Sequence, residues 1–438
     1  MRRLLAGSLV AWALLGLPVP GWAQPRRLSF TDAATLALQQ NLGLRAAALD
    51  VAVAEAQLAQ ARAAKGPQVS VQATYTYLQQ PGQTLSFPNP FGRTPPTLTV
   101  NLPPPDPNVL ALRLLTQLPL YTGGRLESQV ALAEANLRGA RAALERTRQQ
   151  VVAQVQQAYL AVLLAQETVA AARRALEQAR EARRVAEARF RAGTSPRFDV
   201  LQSDVAVANA EQGLLRAEAS VQNAQAQLNA LLNLPLDTPL ELTDTLEVRP
   251  VAGTLPEGIA QALARRPELV ELRARMDAAR AAIDLARSAA QPNLALAANV
   301  DLAGPVNTLN TTWSVTLAFT LQLYDGGITR ERIREAELRL EQLGVLEAQQ
   351  RTRIELEVRQ AWTALAQSQA TLAVAEATVT QAREAARIAR VRFEAGVGTS
   401  LELLAAQAQL AQAELTLAQA RFEQNRARLE WLVSTGAL

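Results

Sequence analysis

Apolar and polar residues alternate along four stretches of this chain. The clearest is TWSVTLAFTLQL, residues 312–323, in which every second residue is a large apolar one. VSVQATYTY, residues 69–77, repeats the pattern, and LALAANVDL, residues 294–302, and VLALRLLTQLPL, residues 109–120, are weaker versions of it. A period of two predicts β-strands that have one apolar face and one polar face.

The four strands form two predicted β-hairpins, residues 69–120 and 294–323. Strands of this length with one apolar face fit an outer membrane barrel, in which the apolar face is outside and the polar face inside. A soluble, half-buried sheet has the same period and stays an alternative. Because four strands cannot close a barrel alone, the membrane interpretation requires an oligomer. It also makes Tyr75, Tyr77 and Trp313 interfacial aromatic residues.

Long helical patterns fill most of the remaining sequence. The longest predicted helix, residues 125–191, has a seven-residue apolar repeat that continues in Ala, and Gly139 is its only glycine. Such a repeat with small residues favours closely packed helices with a left-handed supercoil. Further helices are predicted at 199–232, 257–290, 328–395 and 402–433, with a Pro-rich equatorial segment at 233–256.

The sequence also repeats itself. Tyr121 and Tyr324 lie 203 positions apart, and this offset holds through the helical residues that follow. Upstream of the strands the offset becomes 225, because the first copy has 22 extra residues within Pro81–Pro107. Self-similarity at a constant offset indicates duplicated structure. We therefore predict two internal structural repeats, residues 24–250 and 251–438.

Each copy passes from strand to long helix through a Tyr and a pair of glycines, in LYTGG and LYDGG. Glycines permit a sharp change of chain direction that a side chain would obstruct. We predict barrel-to-helix joints at Tyr121, Gly123, Gly124, Tyr324, Gly326 and Gly327, with both tyrosines packed inside them.

Residues 1–23 have the pattern of a signal peptide. Arg2 and Arg3 precede the apolar run LLAGSLVAWALLGL, and Gly21 and Ala23 occupy the two positions that a signal peptidase reads. We expect cleavage after Ala23, which places the mature chain outside the cytoplasm. No later run approaches the ~18 consecutive apolar residues of a transmembrane helix, so the sequence predicts that any membrane segment consists of strands.

The composition removes several classes of function. The 438 residues include no His and no Cys, which excludes disulfides, thiol nucleophiles, imidazole bases and the usual zinc ligands. The 44 basic and 40 acidic residues are interleaved along helices, which is typical of solvated faces. No carboxylate pair, phosphate-binding loop or metal-ligand spacing stands out. We predict no enzyme, no cofactor, no bound metal and no nucleic-acid partner.

The joints, the opening LSFTDAATLALQQNLGL and the turns RFRAGTSPRFDVLQSD and RFEAGVGTSLELLAAQ resemble the TolC-type outer membrane efflux protein family. The resemblance covers about residues 28 to 435. It implies a mainly α fold with a membrane β-barrel part, in which a trimer forms a twelve-stranded barrel from four strands per protomer. A long α-helical barrel continues it across the periplasm. The implied function is a passive exit duct in the outer membrane, serving tripartite efflux or type I secretion.

The resemblance also implies partners and site residues. The partners are a homotrimer's other copies, a periplasmic adaptor protein, an inner-membrane transporter and outer membrane lipid. The adaptor-docking tip maps onto Gly193, Thr194, Gly396 and Gly398, and the periplasmic gate or constriction maps onto Glu402 and Asp199. A family Arg falls on Gly398 and a second acid on Ala405, which implies a reduced polar lock. The extra residues of Pro81–Pro107 are expected to cap the barrel mouth outside the cell.

Local explanations stay open for the same residues. Gly193 and Gly396 follow the last turns of long helices, where glycine is the usual C-cap. Asp199 and Glu402 fit helix N-caps, whereas three converging Glu402 carboxylates would favour cations at a constriction. Because long Ala-rich helices would also suit it, a periplasmic coiled-coil scaffold or adaptor without a membrane barrel is the alternative function. The exported substrate and the inner-membrane pump have no signature in the sequence.

Overall fold

The computed structural model of the protein describes residues 26–92, 95–248, 250 and 253–438. The predicted signal peptide lies outside these residues. The chain divides into two compact units, each of which draws on both halves of the sequence. The first unit comprises the described residues up to Leu44, Arg148–Gln261 and Glu357–Leu438, and the second comprises Arg45–Thr147 and Ala262–Leu356.

Helices make up most of the described chain. They are α1 Phe30–Gln40, α2 Leu42–Ala63, α3 Arg125–Arg191, α4 Arg197–Leu231, α5 Leu255–Arg265, α6 Pro267–Ser288, α7 Ile328–Glu394 and α8 Ser400–Ser434. The first four have 11, 22, 67 and 35 residues, and the last four have the same lengths in the same order. Residues 225 apart up to the end of α2, or 203 apart from Tyr121 onward, are called matched residues below.

The predicted single helix over 257–290 is wrong, because this segment contains two helices, α5 and α6. Arg266 between them has an extended backbone, with φ −63° and ψ 126°. The ring of Pro267 disfavours helical backbone at the residue before it. Proline is nevertheless acceptable as the first residue of α6, since no amide donor is needed there. Asn41, the residue matched to Arg266, separates α1 from α2 with a similar backbone, φ −65° and ψ 124°.

Four strands form one antiparallel sheet in the order β2-β5-β7-β8. They are β2 Gln68–Tyr77, β5 Asn108–Tyr121, β7 Asn293–Pro305 and β8 Asn310–Thr320. The predicted strand at 312–323 therefore extends too far, because β8 ends at Thr320. The register aligns one apolar row across the sheet, Val71, Leu114, Val300 and Trp313, and next to it one polar row, Gln72, Arg113, Asp301 and Thr312. Apolar and polar side chains thus separate onto opposite faces.

The extra residues of the first copy form a hairpin of their own. Strand β3, Gln83–Pro88, pairs antiparallel with β4, Thr97–Leu102. Only a Pro-rich loop was predicted here. The prolines obscured two short alternating runs, TLSF and TLTV, which supply the paired strands.

The predicted equatorial segment contributes to a large buried cluster of the first unit. Its strand β6, Leu240–Leu242, pairs in parallel with β1, Arg26–Leu28. Leu240, Leu246 and Tyr159 are buried in this cluster together with residues of α1, α3 and α4. The chain entering α1 and the equatorial segment are therefore held against the middle of α3.

No helix among the described residues is both long enough and apolar enough to span a membrane.

Candidate functional site

The turn after α3 has the hydrogen bonds of a glycine C-cap. Gly193 has a left-handed backbone with φ 74°. Its amide donates to the Phe190 carbonyl at 3.0 Å, and the Thr194 amide donates to the Arg189 carbonyl at 2.9 Å. This pair of bonds satisfies the last carbonyls of the helix, and glycine adopts the required conformation without a Cβ penalty. The local C-cap explanation of Gly193 therefore has a direct geometric basis.

The turn after α7 repeats both bonds. Gly396, with φ 78°, donates to the Phe393 carbonyl at 3.0 Å, and the Val397 amide donates to the Arg392 carbonyl at 3.0 Å. Gly398 has little space, because a Cβ added there would lie 3.1 Å from backbone atoms of Arg392 and Phe393. The two turns therefore share their glycine cap, and the second is tighter at the next glycine.

The prediction that Asp199 is an N-cap is wrong. Helix α4 begins two residues earlier, at Arg197, and its N-cap is Pro196, which makes no side-chain capping bond. Asp199 lies in the first turn, where its carboxylate accepts hydrogen bonds from the hydroxyls of Ser195 and Ser400, the latter at 2.9 Å. Since Ser400 begins α8, Asp199 joins the starts of the two returning helices.

Glu402 is likewise not an N-cap. Thr399 has that role, and its hydroxyl accepts a hydrogen bond from the Glu402 amide at 3.2 Å. The Glu402 carboxylate is half exposed and lies 3.8 Å from Arg392 Nη2. An exposed ion pair at this distance contributes little to stability. No hydrogen bond or ion pair links Glu402 to Asp199 among the described residues.

Arg189 is a contact of the tip that the sequence analysis missed. Its Nη1 donates to the Phe393 carbonyl at 3.2 Å, and its guanidinium carbon lies 4.7 Å from the centroid of the Phe393 ring. Phe393 is itself buried with Ala182 and Leu403. This cation–π contact joins the ends of α3 and α7. The available signal was the pair Arg-Phe, which precedes both tip glycines in RFRAG and RFEAG.

At the strand-to-helix joints all four glycines have left-handed backbones. The φ angles are 60° at Gly123, 86° at Gly124, 68° at Gly326 and 89° at Gly327. Residues other than glycine rarely adopt this backbone conformation, which explains the glycine pairs. Gly123 also lacks room, because an added Cβ would lie 2.2 Å from the Cβ of Gln291.

Within a single copy, neither Tyr121 nor Tyr324 packs inside its predicted joint. Their exposed fractions are 51% and 87% in the single chain. At the first joint Thr122 and Leu126 are buried instead, and the Thr122 hydroxyl accepts a hydrogen bond from the Leu126 amide at 3.3 Å. Within one copy, Thr122 therefore supplies the packing that was predicted for the ring of Tyr121.

Asp325, the residue matched to Thr122, caps the start of α7. Its carboxylate accepts hydrogen bonds from the amides of Gly327 at 2.9 Å and Thr329 at 2.7 Å. Hydrogen bonds from the Thr329 hydroxyl and amide hold the pKa of the Asp325 carboxyl below its usual value. The two long helices thus begin with different caps at the same place.

The described residues contain no group of three or more side chains suited to hold a metal ion. The tip and the joints consist of turns, caps and pairs of helix ends. Such an arrangement can set the relative position of helices and present a surface to a partner.

Comparisons with known proteins agree on one family. Residues 33–234 and 258–436 match the profile of the family described as "Outer membrane efflux protein". Alkaline protease secretion protein AprF of Pseudomonas aeruginosa is 29% identical over 59% of this chain and 56% of its own length. Outer membrane protein OprJ of the same species is 29% identical over 85% of this chain and 76% of its own length. The chain therefore aligns with just over half of AprF.

A solved structure shows the same fold. The outer membrane protein VceC of Vibrio cholerae superimposes with a TM-score of 0.75, covering 93% of this chain and 96% of VceC, at 20% sequence identity.

Proposed function

Because this chain belongs to the outer membrane efflux protein family, a family of channels, we propose that it forms a trimeric exit duct. The protein is located in the outer membrane, and its helical tunnel lies in the periplasm. In the proposed assembly each copy gives four strands to a twelve-stranded barrel, which an α-helical barrel continues. The duct is passive and serves a tripartite efflux or type I secretion system.

The observation that carries this proposal is the isolated four-stranded sheet. Among the described residues, its outer strands β2 and β8 each have one edge without a partner strand, and one face of the sheet is apolar from edge to edge. In lipid, unpaired backbone groups at such edges cost several kcal/mol each. Pairing of β2 in one copy with β8 in the next removes every free edge once the ring closes. The apolar face then meets lipid, and the polar face lines the duct.

The proposed duplication is supported by the paired helix lengths. A wall built from two similar halves, residues 24–250 and 251–438, needs a long helix, a returning helix and a joint in each. The four lengths recur in order, and all four joint glycines have left-handed backbones. The free-standing helices of the scaffold or adaptor alternative would need no such sheet.

A docking role is proposed for the tip at Gly193, Thr194, Gly396 and Gly398. Apolar side chains beside the first turn support it, because Phe198, Leu201 and Val205 are exposed and lie on one stripe of α4. The partner is a periplasmic adaptor, through which the duct connects to an inner-membrane transporter. Cross-linking of the tip in native membranes, followed by identification of the captured transporter, assigns the class of cargo. A proton-driven exchanger and an ATP-driven exporter would indicate different classes.

A gate role is proposed for Glu402, with Asp199 positioning the helix that carries it. The bond from Ser400 to Asp199 supports this, because it fixes the first turn of α8 two residues before Glu402. Planar bilayer recordings of Glu402→Gln should show reduced cation preference. Glu394→Gln removes the same charge on the other side of the turn and serves as the control. Equal cation preference in the wild type and Glu402→Gln would eliminate the gate role.

Mass measurement in a mild detergent tests the assembly. A trimer that fractionates with outer membranes is expected. A folded membrane monomer would contradict the closed barrel, and a soluble periplasmic protein would favour the scaffold or adaptor function.

A further inference from the structure

The four-stranded sheet contains a single cation and a single anion. Arg113 in β5 and Asp301 in β7 are the only Lys, Arg, Asp or Glu residues in its four strands. They lie directly opposite each other in the register, and Arg113 Nε donates to the Asp301 carboxylate. Ionisable residues at membrane depth are expensive, and they usually face a water-filled cavity. This pair therefore requires an explanation in terms of function.

The pair is part of a polar network on one face of the sheet. Asn299 donates its side-chain amide to Asp301, and the Ser314 hydroxyl lies 2.6 Å from the Asn299 side-chain oxygen. Gln72 and Arg113 are opposite each other in the register of β2 and β5. These residues all lie on the polar face of the sheet, in two neighbouring cross-strand rows.

The two charges differ in their access to solvent. The Arg113 side chain is 57% exposed, whereas Asp301 is 18% exposed. Asp301 also receives the Asn299 amide, while no acceptor other than Asp301 contacts Arg113 among the described residues. The terminal nitrogens of Arg113 therefore remain available, and a planar guanidinium binds carboxylate or phosphate groups well. Asp301 holds the side chain and partly balances its charge.

We propose that Arg113 is a specificity-determining residue of the duct. This proposal rests on the trimeric channel proposed above, in which the three copies of Arg113 form a ring on the lumen face of the barrel. The ring contacts solutes that have carboxylate or phosphate groups as they leave. Because Asp301 partly neutralises the charge of Arg113, the contact with a solute stays weak. A conducting site requires this, since the solute must leave again.

The absence of cysteine from the chain permits a direct test. Gln72→Cys places one thiol opposite Arg113 on the polar face, and Val71→Cys places one on the apolar face as the matched control. Trimers in liposomes are treated with an anionic or a cationic water-soluble thiosulfonate, and the two modification rates are compared. Gln72→Cys should react with both reagents, whereas Val71→Cys should react slowly because lipid covers it.

The charge of Arg113 should set the ratio of the two rates. In the Gln72→Cys background, Arg113→Gln should lower the anionic-to-cationic ratio by roughly three- to tenfold, the size expected for one nearby unit charge in water. Asp301→Asn should raise the ratio, and Arg113→Lys, which keeps the charge, should leave it near the starting value. Added inorganic phosphate should slow the anionic reagent only where Arg113 or its Lys replacement is present.

The outcomes separate this proposal from the channel itself. If Arg113→Gln forms trimers but leaves the ratio of the two rates unchanged, Arg113 has no role in specificity. The proposed channel is not affected by that result. Faster reaction of Val71→Cys than Gln72→Cys would reverse the faces and overturn both. If Asp301→Asn does not assemble, the comparison of Arg113→Gln with Arg113→Lys still decides the role of the charge. A wild type that forms no trimer contradicts the channel.

Discussion

Two packed groups of matched residues occupy corresponding places in the first unit but differ in size and polarity. The first cluster is the part of the core that contains Ala33, Tyr159 and Leu228. The second contains the buried Gly258 and Trp431 and the half-buried Trp362. The ring centroids of the two tryptophans lie 5.0 Å apart. A Cβ added to Gly258 would lie 2.3 Å from the Trp431 ring. The second cluster therefore holds larger side chains, and the helix facing Trp431 has glycine where the first cluster has alanine.

This difference shows how a packed interior constrains matched positions jointly. Leu228 in the first cluster corresponds to the larger Trp431 in the second. The facing residue changes in the opposite direction, from Ala33 to Gly258. Interiors are packed as densely as organic crystals, so a change in volume at one position requires a compensating change beside it.

The clusters also differ in polarity. The Tyr159 hydroxyl donates to the Asp244 carboxylate at 2.9 Å. The Leu28 carbonyl oxygen lies 3.0 Å from the same hydroxyl. Asp244 also accepts the Phe30 amide at 2.7 Å. Tyr159 thus ties α3 to the equatorial segment and to the chain entering α1. Burial, together with the neighbouring Asp244 carboxylate, raises the pKa of Tyr159 to about 12.

Truncation at the larger cluster should have the largest effect. Trp431 is 4% exposed, and removal of its ring in Trp431→Ala should lower the free energy of unfolding by about 3–5 kcal/mol. Urea titration of the detergent-solubilised protein, followed by far-ultraviolet circular dichroism, measures this value. Gln412→Ala, at an exposed position of the same helix, is the control and should change it by less than about 0.5 kcal/mol. A Trp431→Ala loss no larger than that of the control would show that the ring is not part of the core.

Loss of the polar contact in the first cluster should have the next largest effect. Tyr159→Phe keeps the ring but removes a buried hydrogen bond to a charged acceptor, which should cost about 1.5–3 kcal/mol. Trp362→Phe changes the matched ring without removing a hydrogen bond to a carboxylate, so it separates the packing contribution from the polar one.

The same variant has a pH signature. The folded pKa of Tyr159, about 12, lies above the ordinary value of 10.0. Its neutral form is thus favoured in the folded state, and the associated stability is complete below pH 10 and lost as pH rises toward 12. The difference between wild type and Tyr159→Phe should therefore be constant up to about pH 10 and shrink above it. A constant difference across that range would show that Tyr159 titrates normally.

The sequence predicted much of this architecture, because local signals mark where its long elements end. Glycine pairs precede α3 and α7, single glycines follow them, and the structure gives α3 the bounds 125–191 that the pattern indicated. The break at Pro267 was missed because the apolar period continues across it. That signal was present in the sequence and was outweighed by the helical pattern around it.

The contacts of the candidate site were harder to predict. Asp199 meets Ser400, and Arg189 meets Phe393, across separations of 201 and 204 residues. No local pattern encodes such pairs, since they depend on how the helix ends pack. Because Pro196 is the N-cap of α4, the helix begins before Asp199. Asp199 therefore accepts a hydrogen bond from the start of α8 and does not cap its own helix. Composition near a turn thus predicted the cap glycines but not the partners of the charged residues.

Adding a methyl group at Gly258 in the second cluster tests the compensation directly. Gly258→Ala forces a Cβ against the Trp431 ring, and overpacking of this kind should lower the free energy of unfolding by about 1–3 kcal/mol. Addition of Trp431→Leu makes two of the three residues identical to those of the first cluster and should recover part of the loss. A double variant as unstable as the sum of the two single variants would contradict the compensation.

The reverse change in the first cluster should have the smallest effect. Ala33→Gly introduces the residue found at the matched position, so it creates no steric conflict and leaves a space of only one methyl group. Its cost comes mainly from the greater flexibility of glycine in a helix, about 1 kcal/mol relative to alanine. Ala33→Gly combined with Leu228→Trp should then be tolerated better than Leu228→Trp alone, because the added ring needs the space that Gly258 leaves in the second cluster. Urea titration of the three variants measures the coupling. If Leu228→Trp is equally destabilising with Ala or Gly at position 33, the two clusters do not share the packing arrangement inferred from their matched residues.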